Sequence, residues 1–231
     1  MIIRVGRVFV AVIAAFCIFK AQAANLVVNG DFSAGNTSFA SGYTYVAPAS
    51  GAMVPPSVYT ITPNMRAPID LHSQATAYFD HTTGNASGLF MAVNGSTVSN
   101  TVVWEQLIPG LTPGADYFFS TWVSSWIADS PALLQFSVNG TLLGAPFSAP
   151  FGTAVWQPFE ATWNSGINTS ATISIVNLNV AFGGNDYALD DIALTQQSIF
   201  NPVPEPDTYA MLLTGLGLLG FMARRRKQRA A

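Results

Sequence analysis

Between residues 24 and 200 ten carboxylates stand against one cation: Asp31, Asp70, Asp80, Glu105, Asp116, Asp129, Glu160, Asp186, Asp190 and Asp191 against Arg66. A body carrying about −9 cannot neutralise a row of phosphates, which excludes nucleic acid as a partner. The same balance suits a hard cation such as calcium, which takes several oxygen ligands. Asp190 and Asp191 are adjacent, and strand alternation sends them to opposite faces, so one of them is the expected direct ligand. Five tryptophans, Trp104, Trp122, Trp126, Trp156 and Trp163, could serve a sugar ring. Trp122 and Trp126 share parity on one strand and could form a stacking strip. A ring that buries about 150–250 Å² is more often core. Tyr43 and Tyr45, with Phe39, lie in the Ser-, Gly- and Asn-rich stretch 33–56, which is more open to a ligand.

Catalytic chemistry finds little material. His72 and His81 are the only imidazoles. No Gly-x-Ser-x-Gly elbow, zinc-binding histidine pair or glycine-rich phosphate loop occurs. Glu105 and Glu160 could pair as glycosidase carboxylates, but nothing in the sequence sets their separation. The expectation is a protein without an active site.

The chain has 231 residues, 50% apolar and only 9% charged, where about a quarter is usual. Much of the apolar excess lies in two terminal blocks, 8–19 and 209–223. No stretch between them approaches the roughly 18 unbroken apolar residues of a membrane helix, which excludes a multi-span transporter. Residues 1–23 read as a signal peptide: Arg4 and Arg7, an apolar core at 8–19, then Ala21-Gln22-Ala23 as a cleavage pattern. The alternative is a buried helix. Cleavage after Ala23 would remove Cys17, the single cysteine, leaving neither disulfide nor thiolate ligand. At the other end, 201–208 is a proline-rich linker, 209–223 a transmembrane helix, and 224–231 a basic tail that the positive-inside rule keeps cytoplasmic. Arg224, Arg225, Arg226 and Lys227 would stop the anchor; a plain tail anchor or a buried helix are the alternatives.

Val203-Pro204-Glu205-Pro206, an apolar segment and a terminal arginine cluster resemble the PEP-CTERM sorting signal of exported bacterial proteins. The resemblance covers about the last 27 residues. It implies handling by exosortase, a membrane-embedded protease-transpeptidase. The inner membrane would be a transient anchor, with processing near Pro204–Pro206 and release to the periplasm, cell surface or extracellular matrix.

The body that must position the chemistry reads as strands. Short runs of β-branched and aromatic residues, bounded by Gly, Pro and Asn, fall at 25–28, 43–46, 58–61, 76–79, 88–93, 101–108, 116–126, 155–163, 172–180 and 187–195. Residues 132–144 form a hairpin, with Asn139-Gly140 supplying a type I′ turn. The apolar parity changes within 172–180, from Ile173 and Ile175 to Val176, Leu178 and Val180, which a bulge or a strong local twist would explain. The expected fold is all-β, a two-sheet sandwich over 24–200.

Three segments resemble jelly-roll carbohydrate-binding and galactose-binding-like domains: 25–32 as first strand, 106–117 as central strand–turn–strand, and Asn185-Asp186-Tyr187-Ala188-Leu189-Asp190-Asp191-Ile192 as last strand. The resemblance implies that first and last strands lie together with a structural calcium between them, held by Asn29, Asp31 and Asp190 or Asp191. Ser33 stands where relatives often carry Glu, removing one ligand. The alternative keeps these residues as turn and edge groups bonded to backbone amides. A non-enzymatic matrix protein that associates with extracellular polysaccharide is the leading expectation; an adhesive protein that binds other proteins and a glycan-active enzyme are the rivals.

Overall fold

The computed structural model describes residues 24–200, together with 213–217 and 219. Ala23–Pro202 forms one compact unit; Met1–Gln22 and Val203–Ala231 form another. In the second unit residues 213–217 and 219 are helical. The expected signal peptide, the motif Val203–Pro206, the cluster Arg224–Lys227 and the rest of the expected span 209–223 lie outside the described residues. Among the described residues no helix is long and apolar enough to cross a membrane.

The first unit is an all-β sandwich. Its strands are β1 (Thr44–Tyr45), β2 (Val58–Thr62), β3 (Phe90–Asn94), β4 (Thr101–Pro109), β5 (Asp116–Ser125), β6 (Leu133–Val138), β7 (Thr141–Ser148), β8 (Gln157–Asn164), β9 (Ser170–Asn177) and β10 (Asp186–Thr195). One sheet runs β1-β2-β3-β10-β5-β8 and the other β4-β9-β6-β7. Strands β3 to β10 thus interleave between two sheets in jelly-roll order.

Local chemistry explains the joints. Asn139 and Gly140 have φ of 50° and 78°, the pair of positive angles that a type I′ turn requires, and Val138 pairs with Thr141 across it. The parity change in β9 meets a register shift between Val102 and Trp104 on β4. The extra residue therefore sits on the partner strand, opposite Ile175 and Val176.

Between the sheets Phe119, Phe136 and Phe159 stack at 4.0 Å each, and Phe147 follows at 4.9 Å. A second apolar cluster covers the outer face of the large sheet. Met53, Met65, Leu71 and Tyr78, from irregular chain, pack on Phe90, Ala92, Ala188 and Trp126. With both faces covered, every residue of β2 and β3 is buried.

Two expected strands are absent. Residues 76–79 belong to this covering layer, where Tyr78 stacks on Phe90 at 5.3 Å; their apolar character serves packing without a ladder. Residues 25–28 run beside β10 with one backbone bond, from Leu26 N–H to the Leu194 carbonyl at 3.0 Å, and the side chain of Asn25 makes the remaining contacts. Its Nδ2 donates to the Ile192 carbonyl and its Oδ1 accepts from Leu194 N–H.

Candidate functional site

The outer face of the four-stranded sheet carries a groove, with Ser137 and Ser174 buried at its floor. Beyond the β4 bulge, Trp104 and Ile108 enter the core while Glu105 and Leu107 project outward. Across the sheet Glu105 registers with Ser174, Ser174 with Ser137, and Ser137 with Leu142. Four strands at about 4.8 Å spacing make this a row about 14 Å long. Thr172, Val176, Asn100 and the Asn139-Gly140 turn complete a groove of about 530 Å³. It continues past β4 over Ser38, Phe39 and Ala40, because Ala40 and Glu105 exchange backbone hydrogen bonds of 2.9 Å. Its lining mixes the hydroxyls of Ser137, Thr172 and Ser174, the amides of Asn100 and Asn139 and the Glu105 carboxylate with Val102, Leu142 and Val176, so hydrogen-bonding groups stand among apolar ones.

The residues expected to hold a cation lie elsewhere, where the first segment meets β10. Gly30 accepts a hydrogen bond from Ile192 N–H at 2.9 Å. A Cβ on Gly30 would fall 2.0 Å from the Ile192 carbonyl oxygen, so only glycine permits this approach. Asp31, Asp191, Trp122, Asn25, Asn29 and Ile199 line a cleft of about 390 Å³ there.

Alternation fails at Asp190 and Asp191. A bulge between Asp190 and Ala193 places Asp191 at φ 48°, and both carboxylates turn to the loop at His81-Thr82. Asp190 Oδ2 accepts from His81 N–H (2.7 Å), Thr82 N–H (3.1 Å) and Thr82 Oγ1 (3.2 Å), and Oδ1 from Asp191 N–H (2.8 Å). Asp191 Oδ1 accepts from Thr82 Oγ1 at 2.7 Å, and Oδ2 meets His81 Nδ1 at 2.6 Å. Asn29 braces its own turn through Gly35, Thr37 and Ala34. Asp31 Oδ1 holds Ser33.

The set does not fit calcium. Every side-chain oxygen of Asn29, Asp190 and Asp191 already takes a protein donor, which leaves Asp31 Oδ2 alone of the expected set, and no three acidic or histidine side chains among the described residues cluster as metal ligands. Melting curves of the 24–200 domain with calcium and with chelator are expected to superimpose, since an ion that binds only the folded state would raise the transition. A chelator-dependent drop would restore the ion.

Of the aromatic candidates, Trp126 is wholly buried, its indole N–H shared between the carbonyls of Val93 (3.2 Å) and Tyr187 (2.8 Å). Its parity with Trp122 therefore makes no strip, because the covering layer reaches Trp126. Tyr43 is buried too, its hydroxyl accepting from Ser96 N–H and Asn177 Nδ2, and burial raises its pKa. Tyr45 is exposed, its ring centroid 5.5 Å from that of Tyr59. Trp122 is half-buried, with the His81 ring stacked on it at 3.7 Å and 15°.

Glu105 and Glu160 occupy different sheets, so they do not form a carboxylate pair; Glu160 instead accepts from Ser198 Oγ (2.7 Å) and Ile199 N–H (2.8 Å). The His81–Asp191 pair joins residues 110 apart in sequence. Only the Asp190-Asp191 doublet marked one end of it.

Two carboxyls carry displaced equilibria. Burial, and then the Asp191 carboxylate, raises Asp190 from 3.8 to about 7, against the N–H groups of Asp191, Thr82 and His81. Burial raises Asp186 from 3.8 to about 7, with Gly95 N–H opposing, and its Oδ1 has no partner. The fold keeps protons that the unfolded chain sheds above about pH 4. Their stabilisation is full below that and lost as pH rises through about 7. The melting temperature should therefore fall from about pH 4 to about pH 7.5, and Asp186→Asn should flatten part of the slope. A wild-type curve that climbs over this range contradicts the assignment.

Comparison with known proteins gives a sorting signal. A family model described as the PEP-CTERM protein-sorting motif matches residues 202–227. The search of curated proteins finds no match. Among solved structures, TmCBM61 in complex with beta-1,4-galactotriose is 14% identical at a TM-score of 0.46, covering 74% of this chain and 98% of that one. The CBM22-1 xylan-binding domain from Paenibacillus barcinonensis is 11% identical at 0.39, covering 68% and 91%. A structure titled "CBM4 structure and function" is 15% identical at 0.39, covering 73% and 98%.

Proposed function

We propose that this chain is an exported, non-enzymatic protein of the cell surface or biofilm matrix that associates with extracellular polysaccharide. The sorting motif at 202–227 supports export, with exosortase as the processing partner and the inner membrane as a temporary anchor. The observation that carries the saccharide reading is the groove on the four-stranded sheet, with its row Glu105–Ser174–Ser137–Leu142. Hydroxyl and amide groups fixed on strands match a polyhydroxylated chain at little conformational cost. Carbohydrate-binding titles among the fold neighbours agree with it.

Charge narrows the polymer. Ten carboxylates with one cation repel uronate-rich or phosphorylated strands, so neutral or amino sugars are the favoured class. A lone carboxylate in the groove favours holding over cleaving, since glycoside hydrolysis ordinarily takes two.

The test is retention of the 24–200 domain on immobilised neutral polysaccharides, including the host's own. Glu105→Ala is expected to weaken binding about tenfold, the worth of one hydrogen bond to a charged group. No affinity for any glycan defeats the reading, and cross-linking that yields only protein neighbours would favour an adhesive role.

A further inference from the structure

We infer that the cleft beside Trp122 is a second saccharide-binding site, facing away from the groove, so that one molecule can bridge two polysaccharide strands. The bridging rests on the groove being a glycan site; the Trp122 site stands on its own geometry.

Tyr117, Phe119 and Val123 of β5 enter the core between the sheets, so Trp122 projects from the opposite face of the large sheet. The four-stranded sheet and the whole inter-sheet core therefore separate it from Glu105. Trp122 is half-buried, whereas Trp104 and Trp126 are wholly buried.

Its setting is rigid. His81 covers the ring at 3.7 Å, Asp191 pins His81 Nδ1 at 2.6 Å, and the Trp156 ring meets His81 edge-on at 6.1 Å. The Trp156 indole N–H is satisfied by the Phe79 carbonyl at 3.1 Å. The Trp122 N–H meets no acceptor among the described residues.

With one face taken by His81, the part of Trp122 that lines the cleft offers a sugar an apolar surface for its C–H groups, and the indole N–H a partner for a rim hydroxyl. Asp31 supplies the complementary acceptor, because Ser33 occupies only Oδ1. Asn25 and Asn29 are already bonded to backbone and shape the walls. At about 390 Å³ the cleft lies in the usual range for small ligands, about 300–1,000 Å³. It suits a short saccharide stretch, while the groove suits a longer one. Asp31 and Asp191 exclude uronates here as well and leave neutral or amino sugars.

The experiment is calorimetric titration of the 24–200 domain with hexasaccharides of xylan, galactan, cellulose and chitosan, followed by turbidity with the parent polymers. Wild type should bind at two sites and turn the polymer solution turbid. Trp122→Ala should leave one site and abolish the turbidity, and Glu105→Ala should weaken the other site about tenfold and reduce the turbidity. Asp31→Ala, which removes only a half-exposed carboxylate, is expected to weaken the cleft at least about fivefold and keeps the test open if Trp122→Ala does not fold. A single site untouched by Trp122→Ala and Asp31→Ala overturns the inference and leaves the proposed function standing. Binding abolished by Trp122→Ala but indifferent to Glu105→Ala supports the cleft and removes the groove. No heat with any probe overturns both.

Discussion

Phe136→Ala is expected to lower the melting temperature of the 24–200 domain by about 10–15 °C. Phe136 is wholly buried, between Phe119 at 4.0 Å and Phe159 at 4.0 Å, and the interplanar angles of 23° and 5° make a continuous stack. Phe119 and Phe159 belong to the large sheet and Phe136 to the small one, so the stack joins the two layers. Cutting a buried Phe to Ala costs about 3–5 kcal/mol, and each lost ring pair adds about 0.5–1.5 kcal/mol. In a domain of this size 1 kcal/mol moves the transition by about 2–4 °C. Phe151→Ala, at a ring 73% exposed, should leave it unchanged. A shift under about 3 °C for Phe136→Ala would mean that the sheets are held elsewhere.

Asp190→Ala is the second large effect. The carboxylate is wholly buried and is the acceptor for backbone N–H groups of His81, Thr82 and Asp191. Alanine leaves three donors without acceptors, at about 1–3 kcal/mol each when buried. Loss of about 10 °C in melting temperature is the expected result. Amide exchange should locate the damage: faster exchange at 80–84 and at Asp191, little change in β6 and β9. Uniform acceleration across both sheets would show that Asp190 supports the whole fold and not the loop alone.

The fold was largely legible because its strands obey local rules. Asn139-Gly140 declares its turn by composition, whereas the parity change within 172–180 marks no bulge in β9: Val176 lines the groove, and the extra residue sits on β4. What was not legible depends on partners distant in sequence. Tyr78 and Phe79 look like a strand because the layer over β3 needs apolar residues. Trp126 looks like Trp122 until that layer buries one and leaves the other half-buried beside His81. The Asp190-Asp191 doublet advertised chemistry, and resemblance placed it beside Asp31. Alternation, however, assumes a regular strand, and the positive φ of Asp191 reverses which face it serves. His81 carried no signal at all, since only closure over 110 residues supplies its partner.

Glu160 gives the domain a mechanical consequence. It grips Ser198 and Ile199 directly ahead of the linker that leads to the sorting motif. Tension on a tethered molecule enters at that grip and passes next into β10, the strand flanked by β3 and β5 on either side. Pulling must first release this grip and then shear two ladders together, because β10 is paired with β3 on one side and β5 on the other. A body fastened this way can stay folded while its tail is hauled.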